Sequence, residues 1–180
     1  MMIENFPYYW SAPKSILRYD SVCGPMAVWG VLRYFGIRVN AGRLPQACHR
    51  KGTYLIALAI VLREYGLNVS FYTLPDLELK GFELECYEKA RLLGIPIRKA
   101  FSLSYLLSRI NEHRGALVCY DTFPGYDLDG TGHISPLLGR QDNKLIMPYT
   151  DEKLLPRIDF LRGWREPNFC KQCILVSDRK

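Results

Sequence analysis

Two short stretches hold the residues whose types and spacing suit covalent chemistry. In Asp20-Ser-Val-Cys-Gly-Pro-Met-Ala-Val-Trp29, a thiol stands immediately before a Gly-Pro pair, and Pro25 suits the first turn of a helix. Met26, Trp29, Leu32 and Phe35 then recur at helical spacing. A helix start presents amides without internal partners and the positive end of the macrodipole, so Cys23 is expected to ionise more readily than a free cysteine. Gly24 leaves room for a substrate backbone, and the Cys23 amide is a candidate donor to an oxyanion. In Gly130-Thr-Gly-His-Ile-Ser-Pro-Leu-Leu-Gly139, His133 opens an apolar strand after a glycine-rich turn. An imidazole at that strand edge suits taking the thiol proton and returning it to a leaving group. The two stretches together point to nucleophilic thiol chemistry.

The elements that must position this pair alternate little. The pattern predicts helices over 25–35, 54–65, 82–93 and 102–113, ended by Gly36, Gly66, Gly94 and Gly115, with a strand at 67–74 between the second and third. Short extended runs follow at 116–120, 133–138 and 144–149, separated by turn residues, and are expected to be consecutive antiparallel strands. A helix over 154–164 and a closing strand at 173–177 complete the chain. Helices first and strands last predict an α+β fold, an N-terminal helical half packed on a C-terminal antiparallel sheet with a cleft between them.

In this order the motifs resemble the papain-like cysteine peptidases of the bacteriocin-processing type, the double-glycine leader peptidases of peptide-exporting transporters and their free-standing relatives. The likeness rests on Asp-x-x-Cys-Gly-Pro-x-Ala (20–27) heading a helix that runs to Tyr34-Phe35-Gly36. It continues with Lys51-Gly52-Thr53 before the second helix and with Gly132-His-Ile-Ser-Pro-Leu-Leu-Gly139. The His-Ile-Ser-Pro stretch also looks like phytochelatin synthase, a papain-fold transpeptidase. The resemblance implies a papain-like fold, Cys23 as nucleophile, His133 as base, no cofactor, no metal, and a protein or peptide substrate cut after small residues such as glycine. Two positions depart from the family pattern. Where a glutamine usually completes the oxyanion hole, the chain reads Ser15-Ile-Leu-Arg-Tyr-Asp20, with Arg18 or a backbone amide as the replacement. Where an Asp or Asn usually orients the histidine, it reads Leu145-Ile-Met-Pro-Tyr-Thr-Asp151. Asp151 is the expected third member; Asp142 and Asn143 are alternatives that read better as hairpin-turn residues. A papain-fold acyl or peptidyl transferase and a catalytically silent papain-fold binding module remain the competing readings.

Composition narrows the classes. At 180 residues, 48% hydrophobic and 23% charged, the chain is expected to fold as one domain, 1–180, without disulfides. A net charge of +6 favours acidic partners, but the cations are dispersed and no phosphate-binding glycine loop is present, so no nucleic-acid partner is expected. No membrane span is expected either, since the longest uncharged apolar stretch, Gly52–Leu62, is far shorter than the ~20 residues a spanning helix needs. Residues 1–14 lack the pattern of a Sec signal, which implies a cytoplasmic protein. Export by a non-Sec route, as a toxin delivered into rival cells and restrained by an immunity protein, is the extension of that reading. The six cysteines read as reduced thiols, and Cys170-x-x-Cys173 lacks the further ligands of a zinc site. Asp127-Leu-Asp129 reads as part of a loop over the cleft, His49 and His113 as surface residues, and Trp29, Tyr34, Trp164 and Tyr8-Tyr9-Trp10 as packing.

Overall fold

An uncharged run rich in Leu, Ile, Val and Ala has no polar face to show to water, and a helix built from it has to be surrounded. In the computed structural model, which describes residues 6–7, 11–48, 53–75, 79–124, 132–150 and 154–178, the helical half follows that rule. A short helix α1 (Lys14–Leu17) leads to α2 (Cys23–Tyr34), whose residues Gly24–Leu32 are all buried. Another short helix, α3 (Leu44–Cys48), precedes α4 (Leu55–Glu64), buried at every position through Leu62. Gly36, at φ 72°, ends the α2 segment in the left-handed conformation a helix terminus favours.

The chain then enters the sheet with β1 (Asn68–Thr73), whose Val69, Phe71 and Thr73 point inward in strict alternation. Helix α5 (Gly81–Leu92) crosses over to β2 (Ile97–Lys99), which pairs parallel to β1. Helix α6 (Leu103–Arg109), capped by the Ser102 hydroxyl accepting from the Tyr105 amide, precedes β3 (Arg114–Asp121) and β4 (Gly132–Leu137). A three-stranded sheet follows from β5 (Gly139–Gln141), β6 (Lys144–Ile146) and β7 (Leu154–Pro156). Helix α7 (Arg157–Trp164) and β8 (Cys173–Ser177) end the fold. The main sheet has the order β2-β1-β8-β3-β4, so β4, the histidine strand, lies at an edge.

This is the expected α+β, papain-like architecture, with four differences of detail. The main sheet is mixed, because the α5 crossover returns the chain to the end of the sheet from which β1 began and so forces β2 parallel. The 144–149 run does not join that sheet: only Lys144–Ile146 is strand, in the smaller sheet, and Met147–Thr150 turns away. The 154–164 segment is strand through Pro156 and helix only from Arg157. Leu155 precedes a proline, which disfavours helical backbone, and Pro156 sits at the N-cap with φ −54° and ψ 132°. Helix α6 also stops short of His113, at Arg109, since Ile110 is extended and Asn111 closes a tight turn with Arg114.

One core runs between the helices and the main sheet. Trp29 and Trp164 are both part of it, as expected of packing residues, and His113 is exposed. Tyr34 is half-buried and donates its hydroxyl to the Glu112 carbonyl at 2.8 Å. All six cysteines are free thiols. Among the described residues no helix is long and apolar enough to cross a membrane, and no three potential metal ligands converge. Tyr8–Trp10, His49, Lys51, Gly52, Asp127, Asp129 and Asp151 lie outside the described residues.

Candidate active site

Cys23 is the first residue of α2, presented by a turn in which Ser21 takes a left-handed φ of 54°. The helix starts with no side-chain cap, so its first amides are available to other acceptors. The Cys23 and Gly24 amides both donate toward the Cys23 sulfur, as does the amide of Ile134 on β4. That third donor exists because β4 is an edge strand: an outward main-chain N–H there has no neighbouring strand to pair with. A Cβ at Gly24 would overlap the Thr53 methyl, so any larger residue there would have to displace that side chain. Thr53 is the last residue of the Lys-Gly-Thr motif, and the contact gives its presence before α4 a packing reason. Burial is the largest influence on the Cys23 thiol and pushes its pKa up, with the three amides acting in the opposite direction. The expectation, from helix position, of a thiol that ionises more readily than a free cysteine is therefore not met, because burial outweighs the helix-start amides.

His133 is the second residue of β4 and directly precedes Ile134, so the thiol and the imidazole come from adjacent points of the α2–β4 junction. His133 Nε2 lies 3.0 Å from the Tyr149 main-chain oxygen. A carbonyl only accepts, so Nε2 carries the proton and Nδ1 is the basic nitrogen. The ring also rests edge-on against Tyr120, its register partner on β3, at 5.7 Å between centroids and 85° between planes. Tyr120 packs on Phe160 of α7, and Phe160 on Trp164. This aromatic column supports the imidazole from the core.

The residue holding His133 is one that residue types do not advertise. Tyr149 supplies its carbonyl, and its side chain fixes where that carbonyl stands. The ring is buried, meets Phe6 edge-on at 6.1 Å, and donates its hydroxyl to the Pro7 carbonyl at 3.0 Å. The hydroxyl occupies a notch on α2 at Gly30, where a Cβ would collide with it and with the Phe6 ring.

Of the other residues expected at the site, Asp151 lies outside the described residues. Arg18 is exposed, with its guanidinium 5.1 Å from the Tyr19 ring centroid and bonded to the Tyr19 hydroxyl. Asp142 and Asn143 are the exposed two-residue turn between β5 and β6, Asp142 at φ 51°. A depression of about 300 Å³ opens beside the start of α2, lined by Tyr19, Asp20, Val22, Pro25, Pro45 and Gln46. Cys119, the register partner of Ile134, is pushed up to about 12 by burial and secondarily by the Cys23 thiolate charge.

The fold that carries this arrangement is the one found in C39 double-glycine peptidase domains. No family model matches the chain, and no curated protein matches it. Solved structures with this fold include a C39-like peptidase from Bacillus anthracis, with TM-score 0.68 and 14% identity over 99% of this chain and 98% of that one. A double-glycine-motif protease from an AMS/PCAT transporter, in complex with its leader peptide, aligns with TM-score 0.55 and 15% identity over 87% and 84%. The peptidase domain of Streptococcus ComA, a bifunctional ABC transporter of a quorum-sensing pathway, aligns with TM-score 0.52 and 13% identity over 87% and 91%.

Proposed function

We propose that the protein is a cysteine peptidase in which Cys23 attacks a peptide carbonyl and His133 carries the proton. The observation that carries this reading is the α2–β4 junction itself. The Cys23 sulfur faces the amide next to His133, and His133 is held through Nε2 so that Nδ1 is the base. A thiol raised by burial attacks only after giving up its proton, which assigns His133 a role no isolated helix start could fill. His133 then protonates the leaving amine, and water, activated by the same imidazole, cleaves the thioester. The amides at the helix start are the donors placed to hold the oxyanion. The Tyr149 carbonyl orients the imidazole in this scheme, and Asp151, two residues further on, is retained as a counter-charge for the imidazolium.

The finer reading is cleavage after small residues such as paired glycines. It is supported by the shared fold with a protease bound to a leader peptide and by the apolar depression beside α2, which suits a hydrophobic side chain near the cut. The test is incubation of the protein with a peptide library containing Gly-Gly followed by varied residues, read by mass spectrometry. Cleavage lost in both Cys23→Ala and His133→Ala supports the proposal; no product from the wild type, or product that survives in Cys23→Ala, contradicts it. The raised Cys23 thiol is also the one observation favouring a silent papain-fold binding module, which the same experiment separates.

A further inference from the structure

Four arginines line one cavity of about 410 Å³ at the end of the main sheet remote from Cys23. Arg98 on β2 shares a sheet face with Tyr72, its register partner, and Arg114 on β3 is the partner of Ser177 on β8. Arg63 enters from the last turn of α4, its guanidinium tied to the Leu93 and Leu67 carbonyls at 3.4 Å each. Arg109, the last residue of α6, comes in above the Tyr105 ring. Four separate elements, α4, β2, α6 and β3, thus bring one arginine each to the lining of one cavity.

Among the described residues no Asp or Glu lines the cavity. None of the four arginines forms an ion pair among the described residues. Asp178, next to the lining Ser177, faces His113 at 3.9 Å and shares an adjoining depression with Arg114, without pairing to it. Four guanidinium groups against one bordering carboxylate leave an excess of positive charge among the described residues, which a bound anion would offset. Arginine forks match phosphate and carboxylate oxygens in pairs. Space decides between these chemistries. An acidic peptide carries one charge per roughly 3.3 Å of extended chain and would have to run beyond the cavity to meet four arginines. An oligophosphate concentrates several charges within it.

We propose that this cavity binds a compact polyphosphorylated small molecule, of the oligophosphate or nucleoside triphosphate class. Strand β3 runs from Arg114 at the cavity to Tyr120 beside His133, a distance of roughly 20 Å at the strand rise. The site is therefore separate from the thiol chemistry and does not depend on it.

Isothermal titration calorimetry of the whole chain with sodium tripolyphosphate tests this, with inorganic phosphate and hexaglutamate as comparison probes. The expected result is one saturable tripolyphosphate site, tighter than either comparison and weakened by salt. Each arginine removed should weaken it roughly tenfold, so Arg98→Ala with Arg114→Ala together should lose about a hundredfold, while Lys14→Ala and Cys23→Ala bind as the wild type does. Circular dichroism establishes that the double variant is folded, and Arg98→Gln, at an exposed position, serves if it is not. Absence of saturable binding, an unchanged affinity in the arginine variants, or hexaglutamate binding as tightly as tripolyphosphate overturns the proposal. A failed peptidase assay leaves it untouched, because the Cys23→Ala protein binds in the same way.

Discussion

Burial and amide donation act on the Cys23 sulfur in opposite directions, and burial is the stronger. Reactivity at that sulfur then depends on how well a neighbouring base is held, which moves attention to the residue behind the base. Tyr149→Phe removes the hydroxyl bonded to the Pro7 carbonyl but keeps the ring and the main chain. It should cost about 1 kcal/mol of stability and leave Cys23 alkylation within a few-fold of wild type. Tyr149→Ala removes the buried ring that places the carbonyl, and should cost about 3–5 kcal/mol with a much larger loss of alkylation rate. Urea unfolding and mass-spectrometric alkylation measure both. The thiol and the imidazole were legible as residue types in characteristic surroundings. The Tyr149 carbonyl was not, because every residue type carries one and only the fold says which is aimed at His133. The amide of Ile134 was hidden for the same reason.

At the scale of elements, α2 acts twice: its first residue is the thiol, and its Gly30 notch receives the Tyr149 hydroxyl. Gly30→Ala would drive a methyl into that hydroxyl and to within 2.9 Å of Phe6 ring carbons. Overpacking of this kind should cost about 1–3 kcal/mol. It should also slow Cys23 alkylation more than Tyr149→Phe does, although the substitution touches neither Cys23 nor His133. Circular dichroism melts read with the alkylation rate check this. Helices α2 and α4 were legible from their apolar residues and glycine ends, and α5 from its helical texture up to Gly94. The sheet was not: the parallel β1–β2 pair, and the entry of β8 between β1 and β3, follow from long-range packing that leaves no local pattern. The 144–149 run shows the same limit, since its apolar residues are equally consistent with a strand and with the buried turn that Met147–Tyr149 form.

For the molecule as a whole, packing α2 against the edge strand β4 is what brings two distant sequence motifs together, and burial in the same fold also sorts the thiols. Burial pushes Cys48 and Cys173, both closed off from solvent, up to about 12, so at pH 8 they are almost wholly protonated and should react with a disulfide reagent only after unfolding, as a thiol count on native and urea-treated protein would show. A thiol pKa raised by folding adds stability below the unfolded value, about 9, and that stability is lost as pH rises past it. The urea midpoint should accordingly fall between pH 9 and 11. The central claim is that the fold makes Cys23 and His133 one chemical unit, and the pH dependence of Cys23 alkylation by iodoacetamide tests it most directly. In the wild type the rate should rise through the histidine range, near pH 6.5, and exceed that of the other five thiols at neutral pH. In His133→Ala that step should vanish, leaving reaction only above the ordinary thiol range. The same profile in both proteins would contradict the account.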